Sequence, residues 1–154
     1  MSSELKEVQV ACFSLDNDLY AVDIMRIKEI IRPQKLTPLP QAPSFIDGII
    51  NLRGAVIPVV DMRKRFGMPA RELTASTRLL IVRLSAQTLG LVVDDVTEVI
   101  TVPTKDIKPP PTVSAGLIAN HLLGVCLSGE NMVMLLDIDR LLSLSEISAL
   151  GDFA

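Results

Sequence analysis

The amino-acid sequence predicts a mainly β protein built as two small, interlocked β-barrels, and three observations carry that prediction. The first is an internal repeat. Gly48–Asp61 reads GIINLRGAVIPVVD and Gly124–Asp137 reads GVCLSGENMVMLLD, equal in length, opened by glycine, closed by aspartate and apolar in step between. Upstream, Phe13–Ile31 lies over Val82–Ile100, pairing Leu15 with Leu84, Val22 with Leu91, Ile27 with Val96, Glu29 with Glu98 and Ile31 with Ile100. An ordered double match marks one structural unit used twice. The second observation is a rhythm of short aliphatic runs separated by turn residues, and the third is that helix signals are few and short.

The elements follow in order. Val8–Leu15 and Leu19–Val22 flank Asp16-Asn17-Asp18, whose side chains can bond their own backbone in a turn. Ile49–Leu52 and Val56–Val60 flank Arg53-Gly54, where glycine supplies the positive φ of a tight hairpin. The second unit repeats the scheme, with Leu79–Leu84 and Leu89–Val93 around Ser85-Ala86-Gln87, then Leu122–Leu127 and Met132–Leu136 around Ser128–Asn131. Runs such as LLIV and LGLVV are continuously apolar, as suits barrel strands whose outer face is covered by the other unit. Pro58 cannot donate to a ladder, which predicts an edge or a bulge there. Asp61 can cap a short linking helix over MRKRF, ended by Gly67 and Pro69. Ser143 and Glu146 have capping-box spacing before a short C-terminal helix. The Pro-rich links Pro33–Pro43 and Pro103–Pro111 hold corresponding places in the two units and read as stiff surface connections.

Composition narrows the function. The chain has 154 residues, 49% hydrophobic but only 3% aromatic, and a net charge of −3. Its sequence pI is about 5.1. Scattered cations, one small cluster at Arg63, Lys64 and Arg65, no Trp and one Tyr argue against a nucleic-acid partner. No apolar run approaches the ~18 residues that span a bilayer, and the N-terminus lacks signal-peptide regions, which predicts a cytoplasmic protein without direct membrane insertion. Cys12 and Cys126 sit in strand-like runs without CxxC spacing and read as buried thiols.

A catalytic constellation is not legible. His121 is the single histidine, with no second ligand pattern for a metal, and it reads as a satisfied strand or turn residue. No phosphate-cradling glycine loop and no nucleophile elbow is present. Asp94-Asp95 follows a strand, and a polar turn in which one carboxylate caps backbone is the better reading. No catalytic, metal or cofactor site is therefore assigned. The paired triplets Ile24, Ile27, Ile30 and Val93, Val96, Val99 stand out instead. Spacing by three places each on one face of a helical or irregular extended stretch, and not of a strand. Core packing explains such a pattern, and so does an apolar groove at the seam between units, suited to a partner helix. Arg53 is ambiguous in the same way. It sits at a hairpin tip where its counterpart is Gly129, an asymmetry that favours a specific task.

The run GIINLRGAVIPVVDMRKRFG, with YAVDIMRIKEIIRPQKLTPLPQAPSFI before it, resembles the CheW family of bacterial chemotaxis coupling proteins. So do LGLVVDDVTEVI and MVMLLDIDRLL. The resemblance implies two SH3-like five-stranded barrels, with a CheW-like domain over 8–142. Approximate subdomains fall at 13–66 and 77–137, with a C-terminal helical segment at 138–150. It further implies a free-standing, non-catalytic adaptor, monomeric in isolation. Such a protein bridges the cytoplasmic tip of methyl-accepting chemotaxis receptors to the regulatory domain of the histidine kinase CheA, and is recruited to membrane-associated arrays. By position, the receptor groove would involve Ile24, Ile27, Ile30, Val96 and Val99. Glu29 and Arg53 match coupling positions, and Leu36 and Leu39 lie on the expected kinase-facing surface. Two alternatives stay open: a coupling protein of a non-flagellar system such as pilus motility, and, against the composition, a barrel binding nucleic acid or a small ligand.

Overall fold

Short turns and apolar alternation give this chain its strands, and long-range pairing sorts them. The computed structural model describes residues 6–85, 87–110, 121–143 and 146. Its strands are β1 (Glu7–Leu15), β2 (Asp18–Asp23), β3 (Ile27–Ile31), β4 (Ile46–Leu52), β5 (Ala55–Asp61), β6 (Arg78–Arg83), β7 (Thr88–Val93), β8 (Asp95–Pro103), β9 (Leu122–Ser128) and β10 (Asn131–Leu136). They form two five-stranded sheets, β8-β1-β2-β10-β9 and β3-β6-β7-β5-β4.

Strands β6 to β10 repeat β1 to β5, so each sheet takes strands from both repeats. One barrel holds β1 and β2 with β8, β9 and β10; the other holds β3 to β7. The barrels thus do not follow the approximate halves 13–66 and 77–137. The exchange occurs where a strand pair ends and the chain crosses over. After β2 it does so through the 3-10 turn Ile24–Arg26, capped by the Asp23 side chain, which accepts from the Met25 N–H at 2.9 Å. After β7 it does so at Asp94. That residue's Oδ2 accepts the Asp16 N–H at 2.8 Å, the backbone cap expected of the Asp94-Asp95 turn.

The exchange creates three apolar layers. Val10, Cys12, Ala21, Val102, Cys126, Val133 and Leu135 fill the first barrel. Ile50, Ile57, Val59, Leu79 and Ile81 fill the second. Between them lies the largest core, in which Phe13, Leu15, Tyr20 and Val22 meet Val60, Leu80, Val82, Leu89, Leu91 and Val93. Along β6, Leu79 and Ile81 face the barrel interior while Leu80 and Val82 face the seam. Both faces of the strand are covered, which is why the run is continuously apolar.

Other elements follow their local chemistry. The linking helix α1 (Met62–Arg65) is capped by Asp61, which accepts from the Arg63 and Lys64 N–H groups, and Gly67 at φ +73° ends it. Pro58 is on the inner strand β5 rather than at an edge or bulge. It is tolerated because β5 pairs with β7 only from Val59 onward, so no ladder bond is lost on that side. Of the C-terminal segment, Ile138–Arg140 is a 3-10 turn. Ser143 and Glu146 exchange the two capping-box bonds, at 2.6 and 3.2 Å. The remainder of the expected helix lies outside the described residues.

The repeat is also one of close approach. Each Pro-rich link bridges its following strand, Thr37 with Ile49 and Lys108 with Val125. A Cβ at Gly48 would stand 2.5 Å from the Thr37 carbonyl oxygen, and one at Gly124 would stand 2.5 Å from that of Lys108. Backbone cannot yield there as a side-chain tip can. Gly124→Ala is therefore expected to cost about 1–3 kcal/mol in urea unfolding. At Gly129, where space is open and only φ +63° resists, Gly129→Ala should cost about 1 kcal/mol. Equal costs at the two positions would remove the close-approach argument.

Candidate functional site

Two members of each triplet share a strand after all, Ile27 and Ile30 on β3 and Val96 and Val99 on β8, and a bulge explains their spacing; Ile24 is on the 3-10 turn before β3, and Val93 ends β7. β3 pairs Ile27 with Val82, Glu29 with Ile81 and Ile30 with Leu80, so Lys28 is one residue too many. β8 pairs Val96 with Phe13, Glu98 with Cys12 and Val99 with Ala11, so Thr97 is the extra residue. Directly opposed residues share a sheet face. The bulge therefore turns Ile27 and Ile30 to the seam face of Val82 and Leu80, and Val96 and Val99 to that of Phe13 and Ala11. Without it, period-two alternation would send one member of each pair to the other face. The two bulges occupy equivalent repeat positions.

These side chains rim the central core rather than fill it. Ile27 and Val96 are partly buried and pack against that one core from the two sheets. Ile24 is half-buried on the crossover turn, while Ile30 and Val99 are 42% and 51% exposed. Val93, the third member of the second triplet, is fully buried. The turn carrying Ile24 is tied down by Arg26, whose Nε donates to the Arg83 carbonyl at 2.9 Å and whose guanidinium pairs with Asp139 at 2.6 Å. That pairing holds the Asp139 carboxyl below its usual range.

Glu29 and Arg53 are brought together as an ion pair. Glu29 is on β3 and Arg53 at the β4–β5 tip, so the pair joins the two end strands of one sheet and closes that barrel. Arg53 and Gly54 both have positive φ, +52° and +90°, as a two-residue hairpin turn requires. Arginine at this place is conformationally costly, and the equivalent tip uses Gly129. Leu36 and Leu39 are not brought together. Both are half-buried, but Leu36 packs on the interior of the β3–β7 barrel and Leu39 on the central core.

The basic cluster does not form an open cationic face. Arg63 is 8% exposed and bonds Asp94 at 2.6 Å, Asp16 at 2.7 Å and the Pro69 carbonyl at 2.8 Å. Lys64 pairs with Asp47, and Arg65 lies 4.4 Å over the Phe45 ring while donating to the Leu141 carbonyl. Arg63 thereby fastens the β1–β2 turn to the β7–β8 crossover, a role that nothing local in MRKRF marks. Cys12 and Cys126 are buried, and burial pushes the Cys12 thiol up to about 11, so it is protonated and unreactive at neutral pH.

With this geometry in view, comparison with known proteins is informative. The family model for the CheW-like domain matches residues 9–146. The chain belongs to the CheW family. Chemotaxis protein CheW of Treponema pallidum is 34% identical over 96% of this chain and 89% of its own length. Protein FrzA of Myxococcus xanthus is 33% identical over 88% and 86%. The crystal structure of the scaffolding protein TtCheW from Thermoanaerobacter tengcongensis superposes with a TM-score of 0.84 at 34% identity, covering 95% of this chain and 94% of that one. CheW-family membership makes the chain a non-catalytic scaffold of the chemotaxis type. No helix among the described residues is long and apolar enough to cross a membrane.

Two outcomes follow for single residues. His121 is buried, stacks on Phe66 and donates from Nδ1 to the Arg140 carbonyl at 2.6 Å. Burial holds its imidazole below the ordinary 6.5. The unfolded chain then takes up the proton first, so this contribution to stability is complete above about pH 6.5 and is lost as pH falls below it. The urea midpoint should drop more between about pH 7.5 and 5.5 in wild type than in His121→Gln; parallel profiles would refute the assignment. At the hairpin tip, Arg53→Gly relieves the positive φ and loses only an exposed ion pair worth about 0–1 kcal/mol. In urea unfolding, Arg53→Gly should therefore be more stable than Arg53→Ala by about 1 kcal/mol.

Proposed function

We propose that this chain couples methyl-accepting chemotaxis receptors to the histidine kinase CheA, acting in the cytoplasm at membrane-associated arrays. One observation carries the reading. Two equivalent bulges turn Ile27 with Ile30, and Val96 with Val99, onto the seam face at the rim of a core both barrels share, and leave them partly uncovered. Together with Ile24 they offer aliphatic walls from both repeats, suited to the apolar stripe of an amphipathic helix from a receptor tip. The Glu29–Arg53 pair braces the end strand that carries one wall. The kinase meets the link over 33–43, whose Leu36 and Leu39 anchor it to two cores while Lys35, Thr37, Pro38 and Pro40 stay exposed. The names chemotaxis protein and scaffolding protein among the relatives support a coupling role.

Ile27→Asp and Val96→Asp test it. A carboxylate at the groove loses hydration on docking without gaining a partner, at about 1–3 kcal/mol. Affinity for a receptor-tip fragment should fall about tenfold or more, while the kinase regulatory domain binds as before and thermal melts stay cooperative. Loss of both partners with a collapsed melt would return these residues to core packing.

A further inference from the structure

Each wall of the groove begins at a crossover between the barrels, and an ionic clasp holds each crossover at the seam. The wall on β8 starts after Asp94. Arg63 of α1 bonds Asp94 at 2.6 Å and Asp16 of the β1–β2 turn at 2.7 Å. In the other wall Arg26 stands between Ile24 and Ile27, and Asp139, on the 3-10 turn after β10, pairs with it at 2.6 Å. Asp139 also accepts from Ser85 of the β6–β7 turn, from the N–H at 3.3 Å and the hydroxyl at 3.4 Å. In the repeat, Arg63 corresponds to Asp139 and Asp16 to Ser85, so the two clasps share one plan with the central charge inverted.

The clasps differ in burial. The side chains of Arg63 and Asp94 are 9% and 11% exposed, and Arg63 has a further partner in the Pro69 carbonyl. Those of Arg26 and Asp139 are 33% and 38% exposed. Water and salt therefore screen the second clasp more than the first. The element it holds is also slight: three residues of 3-10 turn with the Asp23 side chain as cap, too short to keep its shape alone. Ile24 lies on that turn and Ile27 leaves it. Arg26 ties both to the rest of the molecule, through Asp139 and through the Arg83 carbonyl.

We infer that Asp139, acting through Arg26, positions the wall of Ile24 and Ile27 for a receptor helix. Both are positioning residues, and the inference rests on the coupling role proposed above. It makes the turn after β10, far in sequence from either wall, a determinant of receptor affinity. A wall already in place when the helix arrives costs no ordering on docking. The β8 wall has its buried clasp, so the groove has one fixed side and one side set by an exposed ion pair.

The test compares wild type with Arg26→Gln, Asp139→Asn and the double variant. Both substitutions remove a charge and keep a polar side chain at a half-open surface, so melts should stay cooperative. Arg140→Ala is the control, a neighbour on the same turn whose side chain is 71% exposed. Methyl NMR of the free chain should show the Ile24 and Ile27 signals moving in each single variant while those of Val96 and Val99 stay. By calorimetry, Kd for a receptor-tip fragment should rise about fivefold in each single variant and no further in the double, with the kinase regulatory domain within about twofold throughout. Unmoved Ile24 and Ile27 signals overturn the inference. So does loss of receptor affinity in Arg26→Gln alone, which would make Arg26 a direct contact, or losses that add in the double variant. A wild-type chain that binds neither fragment overturns the coupling role, and the methyl signals then still decide whether the clasp sets the wall.

Discussion

Everything in this molecule depends on the central apolar layer between the sheets. Five-stranded barrels of this size enclose few side chains; among the described residues, seven and five buried ones fill the two interiors. Burying the outer faces of both against each other adds the largest core, with Phe13, Tyr20, Leu80 and Leu91 at its centre. Small cores stabilise weakly alone, so two that share a third layer fold as one unit. The strand exchange has the same effect. Each barrel lacks strands until the other repeat supplies them, so neither repeat can form its native sheet alone.

The site inherits its character from that layer. A shared core must end somewhere, and at its rim the strands β3 and β8 carry aliphatics that neither sheet fully covers. The bulges at Lys28 and Thr97 direct them there, and polar ties hold the frame. Arg26 reaches Asp139 and the Arg83 carbonyl, and Arg63 joins Asp16 to Asp94. Each tie connects segments far apart in sequence. Burying Arg63 is tolerable because its charge meets two carboxylates and a carbonyl.

Duplication usually suggests symmetry, but the functional interest lies in its departures. Arg53 against Gly129, and Asn51 against Leu127, are changes at equivalent positions of one scaffold. They give one barrel the Arg53–Glu29 ion pair and leave a glycine at the equivalent tip of the other. Identical repeats would present identical surfaces, and these differences are what make the two barrels' surfaces distinct.

The sequence by itself determined the repeat, the hairpins at Asp16 and Arg53-Gly54, the Asp61 cap and the aliphatic triplets, because turn chemistry and side-chain period act within a few residues. It also determined that the apolar runs needed cover on both faces. Tertiary structure alone decided which strands share a sheet, since each hairpin is compatible with either barrel and only long-range pairing of β1 with β8 and β3 with β6 chooses. It likewise decided that Ile27 and Ile30 share a strand face. A one-residue bulge is a property of two paired strands, and a single strand's spacing by three reads as something other than strand. Pro58 was misplaced for the same reason: an inner strand tolerates proline when its neighbour begins pairing one residue later, and no local signal reports where a neighbour begins.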